Sequence, residues 1–339
     1  MKLETRNLKL ETRNLKLDKK IPVVIVTGFL GAGKTTFINE VIRNHQHLKL
    51  ALVENEFGQQ SIDQDLIVGM RSENIFDLSN GCICCSISNE FSLTLLDLAE
   101  KAGEIDYLLI ETTGVADLSN VIKPFYADQE LKEKYTLAGS VCLVDAQNFE
   151  QQMSDREQQL QVILSDLLII NKTDLVSETT LAEITKRLSA WNGTAETIAT
   201  KFGKDNDFQL DNFAETVQGR LEQKMAEPFM FRLVESKKYT TFTHEFSGHI
   251  KLERFKYWFD YFAAINQLQI YRIKGILFTH ESPNKIVVQS VGGGTSYSEG
   301  SLIMPGEAPK NRLVFIGKEI DFERIAYELN KYLAKDLNP

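Results

Sequence analysis

The chain is short of several things, and each shortage excludes a class of protein. Four cysteines in 339 residues are too few for a disulfide-stapled scaffold. No apolar run reaches the ~18 residues needed to span a bilayer, and none resembles a secretory leader, so a cytoplasmic location without membrane contact is expected. Basic side chains are outnumbered, 38 against 47 acidic, for a formal charge of −9. Nucleic-acid backbones are bound by clustered Lys and Arg, so nucleic acid is not an expected partner. What remains, 43% hydrophobic and 25% charged, is an ordinary globular composition of a length that implies about two domains.

The first twenty residues carry a tandem duplication, KLETRNL at 2–8 and again at 9–15. Its leucines (Leu3, Leu8, Leu10, Leu15, Leu17) alternate spacings of five and two, whereas a coiled-coil seam needs three and four. Residues 1–20 therefore read as a disordered extension. Beyond them, apolar runs at 21–26, 50–53, 107–110, 140–144 and 167–170 alternate with helical periodicity at 35–42, 91–101 and 181–191. That alternation predicts an α/β domain over 21–225, with a mostly parallel sheet covered by helices. Cys142, inside one of the runs, reads as core.

After residue 225 the texture changes. Strands are expected at 229–233, 240–246, 271–278, 285–291 and 312–316. Helices are expected at 252–265, presenting Leu252, Phe255, Phe259, Phe262 and Ile265, and finally around Phe322, Ile325, Ala326, Leu329 and Leu333. Residues 226–339 thus read as a smaller α+β domain, and the acidic, glycine-containing stretch 203–227 as the linker.

Chemistry enters at GFLGAGKT, residues 28–35, which follows a strand and opens a helix. Glycines there let backbone N–H groups wrap phosphates, and the helix N-terminus adds positive potential. Gly28, Gly31, Ala32, Gly33, Lys34, Thr35 and Thr36 form the expected phosphate-binding set. Lys34 would neutralise the β and γ phosphates, and Thr35 would coordinate Mg²⁺. In NKTD, at the end of the 167–170 strand, the Asp174 carboxylate can accept from guanine N1–H and the 2-amino group, a donor pair that adenine lacks. Asn171 would brace the loop or contact the base, and Lys172 would cover one face. The alternative for Asp174 is a helix N-cap. A small-molecule kinase would need no guanine motif.

In ETTG, Glu111 ends a buried strand where phosphate-loop enzymes orient the Mg²⁺ hydration shell, and the Gly114 amide can sense the γ-phosphate. Asp63 is a candidate for orienting the attacking water, with a loop-capping aspartate the open alternative. Three cysteines, Cys82, Cys84 and Cys85, crowd into GCICC. Thiolates suit Zn²⁺ or Cu(I), and zinc takes four ligands, so two or three cysteines must recruit another group; Glu54 and Glu56 are near in order. Chance clustering of buried cysteines is the alternative.

These motifs, with ENEFG at 54–58, occur in the order found in CobW-type GTPases, a family of metallochaperones that the chain resembles from about residue 21 onward. RIKG at 272–275 and RLVFIG at 312–317 are similar to that family's C-terminal pattern. The resemblance implies a GTPase domain followed by a ferredoxin-like C-terminal domain, using GTP/GDP, Mg²⁺ and Zn²⁺ or a similar metal such as Co²⁺. It implies that Glu54, Cys84 and Cys85 ligate the metal, with Cys82 an alternate, and that the cargo passes to a client metalloprotein under nucleotide control. A homodimer is left open. A redox- or metal-sensing switch without delivery is the alternative function. There are departures: Gln59 stands where many members have Glu, and Leu118 follows ETTG where many have Pro nearby. The five histidines are scattered, which argues against a high-capacity metal store; His244 and His249 read as solvent-exposed strand and turn positions, with a weak accessory metal site the alternative.

Overall fold

The computed structural model describes residues 20–54, 75–77, 88–101, 105–114, 116–201, 208–226, 234–235 and 239–333. The expected extension 1–19, the candidate strand 229–233, and Asp63, Cys82, Cys84 and Cys85 lie outside the described residues.

Seven parallel strands form the first sheet: β1 (Ile21–Gly28), β2 (Leu50–Glu54), β3 (Ile75–Asp77), β4 (Tyr107–Glu111), β5 (Tyr135–Asp145), β6 (Leu167–Asn171) and β7 (Glu196–Ala199). Their spatial order is β3-β2-β4-β1-β5-β6-β7. The core strands are runs rich in Val, Ile and Leu, as burial on both faces requires. Val23, Ile25, Leu108, Ile110, Cys142, Val144, Leu168 and Ile170 face one helical layer. Val24, Val26, Leu109, Val141, Leu143, Leu167 and Ile169 face the other, where helix Lys34–Asn44 contributes Phe37, Ile38, Val41 and Ile42. Cys142 is a core residue, as expected, and burial pushes its thiol up to about 12. β3 and β7 escape the sequence reading because short edge strands carry too few residues for periodicity to register.

The second sheet is antiparallel: β8 (Val234–Glu235), β9 (Thr240–Ser247), β10 (Ile270–Leu277), β11 (Asn284–Val291), β12 (Gly294–Leu302) and β13 (Lys310–Gly317), in the order β12-β11-β10-β13-β9-β8. Strands β9 and β10, joined by helix Leu252–Asn266, run parallel with β13 between them, which is the split crossover expected of a ferredoxin-like unit. The hairpin of β11 and β12 widens the sheet. β12 was not expected, since its Ser, Thr and Gly residues lack apolar alternation.

One face of this sheet packs under its own helices, with Phe255, Phe259 and Phe262 from the first and Ile325, Leu329 and Leu333 from the last against Leu313 and Phe315. His244 belongs to this covered face. The expectation that it is exposed fails because helix Phe322–Leu333 lies over it; its Nε2 is 3.2 Å from Asn330 Oδ1, and burial lowers its pKa. The other face presents Ile276, Val287, Val291, Val314 and Ile316 to the first domain, whose Leu118, Val121, Ile122 and Ile163 join them in one continuous core.

The linker expectation fails over 213–226. Phe213–Ala226 is a helix with Phe213, Leu221 and Met225 buried, and its Gln218 and Glu222 hydrogen-bond to Glu299 and Ser301 of β12. Its outward charges had masked a one-sided apolar stripe.

A charged contact lies within the interdomain core. Asp166, just before β6, binds Arg272 and Lys274 of β10, the latter at 2.6 Å. Its second oxygen accepts from the Ser140 N–H and hydroxyl at 2.9 and 3.1 Å. Burial opposes ionisation, but the two cations and the Ser140 N–H hold the carboxyl well below its ordinary range. Burial and the neighbouring Arg272 bring Lys274 down to about 8.

Asp166→Asn is expected to destabilise the chain by about 3–5 kcal/mol in urea unfolding, because two cations are left buried without a counter-ion. In the wild type the same contribution, present above the ordinary carboxylate range, is lost only in strongly acidic solution, since the folded-state pKa is depressed. Replacing Asp166, Arg272 and Lys274 together with apolar residues should recover most of the loss.

Candidate functional site

Parallel strands direct their C-terminal ends to one edge, and β1, β4, β5 and β6 deliver the motif residues there. β1 ends at Gly28, whose φ of +135° and position 2.3 Å (by an added Cβ) from Leu143 O leave room for no side chain. Gly31, at φ +75°, faces open space, so its requirement is conformational and not steric. Gly33, at φ +103°, precedes helix Lys34–Asn44. Thr35 and Thr36 occupy the first turn of that helix, where N–H groups point outward into the loop. Lys34 is buried and folds back over the loop, its Nζ 3.0 Å from Gly28 O and 3.3 Å from Phe29 O. The loop therefore has the form of an anion cradle with its cation already in place.

The ETTG segment lies beside it. Glu111 ends β4 in register with Val26 of β1, and the Thr112 hydroxyl bonds Thr27 at 2.8 Å. Gly114 abuts the phosphate loop: a Cβ there would lie 2.5 Å from Leu30 N and 3.1 Å from Phe29 C. The Thr113 hydroxyl is buried without a hydrogen-bond partner among the described residues, a polar group that fits a site meant to hold a polar ligand. On the other side of β4, Glu54 ends β2 in register with Glu111, and Asp77 ends β3 in register with Glu54. Among the described residues no three His, Cys, Asp or Glu side chains are grouped to hold a metal ion.

NKTD sits at the end of β6. Asn171, buried, donates from Nδ2 to Ala32 O at 2.9 Å, and its Oδ1 accepts from the Lys172 N–H. The first of these bonds ties the NKTD segment to the glycine-rich loop. Lys172 has φ +60°, an uncommon left-handed conformation for a non-glycine residue, and its Nζ pairs with Asp145 at 2.7 Å. Thr173 is fastened to Thr200 O at 3.0 Å. Asp174 is exposed in a 3₁₀ turn, Thr173–Leu175, and Ser177 caps the following helix, so the N-cap alternative for Asp174 falls away.

Asp145 stands at the candidate site and is absent from the sequence reading. It is buried at the end of β5 opposite Asn171, and accepts from the Gln147 and Asn148 N–H groups as well as from Lys172. Burial raises its pKa, but Lys172 and Asn148 more than offset this and the carboxyl stays below its usual range. The signal was present: like Glu111, it is a carboxylate directly after a buried apolar run.

Residues 22–199 match the family described as CobW/HypB/UreG, nucleotide-binding domain, and residues 239–333 match the cobalamin synthesis protein cobW C-terminal domain. The chain is 31% identical to zinc chaperone YjiA of Escherichia coli (strain K12) over 313 residues, 90% of this chain and 96% of that one. It is 27% identical to zinc chaperone CobW of Sinorhizobium sp over 88% of this chain and 93% of that one. The crystal structure of Zn(II)-bound YjiA GTPase from E. coli superposes with a TM-score of 0.65 at 25% identity, covering 93% of this chain and 99% of the other.

Gly114→Ala is expected to weaken nucleotide binding by about 1–3 kcal/mol, because backbone on both sides of the new methyl must move apart. Titration with a fluorescent, non-hydrolysable nucleoside triphosphate analogue measures it.

Proposed function

The chain belongs to the CobW/HypB/UreG family, and from that premise we propose that it is a GTP-hydrolysing metallochaperone that binds zinc or a similar transition metal and transfers it to a client protein under nucleotide control. The observation that carries this reading is the bond from Asn171 to Ala32, which joins a guanine-type base motif to a complete phosphate loop in a chain similar along its length to zinc chaperones.

In this reading Gly28, Gly31, Ala32, Gly33, Lys34, Thr35 and Thr36 hold the phosphates. The Thr35 hydroxyl and Glu111 would hold Mg²⁺, which would supply charge neutralisation for the transferred phosphoryl group. Gly114 meets the γ-phosphate, and Asp174 with Lys172 receives the base. Hydrolysis then depends on positioning, since the loose transition state needs little covalent help. Which residue turns the water is unassigned; Asp63 is our candidate.

The cargo site is assigned to Cys84 and Cys85 with Glu54 and, as alternate, Cys82. Support comes from thiolate chemistry and from the register that ends β2 at Glu54 beside Glu111 of β4. A metal ligand and a magnesium-orienting carboxylate on neighbouring strand ends allow each bound species to bias the other. We further place the protein in the cytoplasm, acting on a client metalloprotein and open to homodimer formation; among the described residues no helix is long and apolar enough to cross a membrane.

Two measurements test the reading. Asp174→Asn should lower GTP affinity at least about a hundredfold and favour xanthosine triphosphate, because an amide donor then faces the purine 2-position. Cys84→Ala with Cys85→Ala should weaken zinc binding by on the order of a hundredfold or more and abolish any effect of GTP on it. Unchanged zinc affinity and unchanged zinc-dependent hydrolysis would remove the metallochaperone assignment while leaving the GTPase.

A further inference from the structure

Helix Arg156–Leu164 buries three glutamines, Gln158, Gln159 and Gln161. A buried amide is unfavourable unless its hydrogen bonds are made, so the partners of each show what it is for. Gln158 and Gln159 donate locally, to Asp155 Oδ2 at 3.0 Å and to Met153 O at 2.5 Å, and the Gln158 Oε1 is buried without a partner among the described residues. Gln161 reaches out of the helix: its Nε2 lies 3.3 Å from Gly114 O and 3.1 Å from Ala116 O.

Gly114 is thereby held from two sides. The phosphate-loop backbone at Phe29 and Leu30 touches it on one, and the Gln161 amide grips its carbonyl on the other. The gripping helix is itself fixed at its C-terminal end. Arg272 of the second domain donates to Ile163 O at 3.3 Å, and Asn192 Nδ2 donates to Val162 O, Ile163 O and Ser165 O at 2.8–3.0 Å. The Ser165 hydroxyl closes onto Gln161 O at 2.7 Å.

We propose that Gln161 is a positioning residue for γ-phosphate recognition: by holding the Gly114 and Ala116 carbonyls toward its helix, it keeps this segment set against the phosphate loop. The inference rests on the reading of the chain as a GTPase. It follows that Gln161 serves the triphosphate and not the diphosphate, because Gly114 meets only the third phosphate. Without the amide donor, two carbonyls lose their partner and the segment rotates to find another, so the γ-phosphate meets an unset loop.

The test compares fluorescent GDP with a non-hydrolysable GTP analogue on the full chain and on Gln161→Met, Gln161→Glu and Gln159→Met. Methionine keeps the shape and removes the donor; glutamate sets an acceptor against two carbonyl oxygens. In Gln161→Met the analogue should bind about five- to tenfold more weakly, with GDP affinity unchanged within about twofold. Gln161→Glu should show the same split at least as strongly, and it decides the matter if the methionine variant does not fold. Gln159→Met, equally buried in the same helix, should leave the ratio of the two affinities unmoved. An unmoved ratio in the Gln161 variants, or an equal change in Gln159→Met, overturns the inference while the GTPase reading stands. A wild-type chain that binds neither nucleotide overturns both.

Discussion

The arrangement of this molecule depends on one buried carboxylate. Asp166 stands between the two sheets, with Arg272 and Lys274 from the C-terminal domain on one oxygen and Ser140 on the other. Apolar contact from Ile276, Val287, Val314 and Ile316 supplies attraction between the domains, but such contact is indifferent to small sliding. A charge cluster is not, because a displaced ion would be desolvated without its counter-ion. The contact therefore sets the register in which β10 faces the start of β6, the strand that ends in NKTD.

From that register the site follows as a set of braces. Asn171 ties the base loop to the phosphate loop, Lys172 is pinned to Asp145, and Thr112 bonds Thr27 across β4 and β1. The last two bonds join the ends of neighbouring strands and the first reaches from β6 past β5 to the loop after β1, so four loops that are distant in sequence act as one surface. Helix Arg156–Leu164 is the piece shared between this surface and the second domain, since it contacts the Gly114 segment through Gln161 and receives Arg272 at its end. The metal-ligating motif as read would adjoin the same edge, because β2 stops at Glu54 level with Glu111.

Much of this was legible before any coordinates. Long apolar runs announced β1, β4, β5 and β6, since a strand buried on both faces needs no alternation and stands out. The Phe-rich helix Leu252–Asn266 showed itself by helical spacing. The failures have a common cause in burial that arrives from elsewhere in the chain. His244 looks like an exposed strand residue until the final helix lies on it. Helix Phe213–Ala226 looks like a polar linker until its three buried side chains meet β5 and its polar ones meet β12. β12 itself is a strand through its pairing with β11, whatever its composition.

The amino-acid order by itself supplied the candidate chemistry: a lysine and threonine after a glycine loop, a carboxylate after NKT, a glutamate after an apolar strand, and cysteines in a cluster. Local motifs carry these because a phosphate cradle or a base-reading turn is built from consecutive residues. Only the tertiary structure decided which residues hold that chemistry in place. Asp145, Gln161 and Asp166 carry no motif; each matters because a partner 27, 47 and 106 residues away closes a hydrogen bond on a side chain that folding has buried.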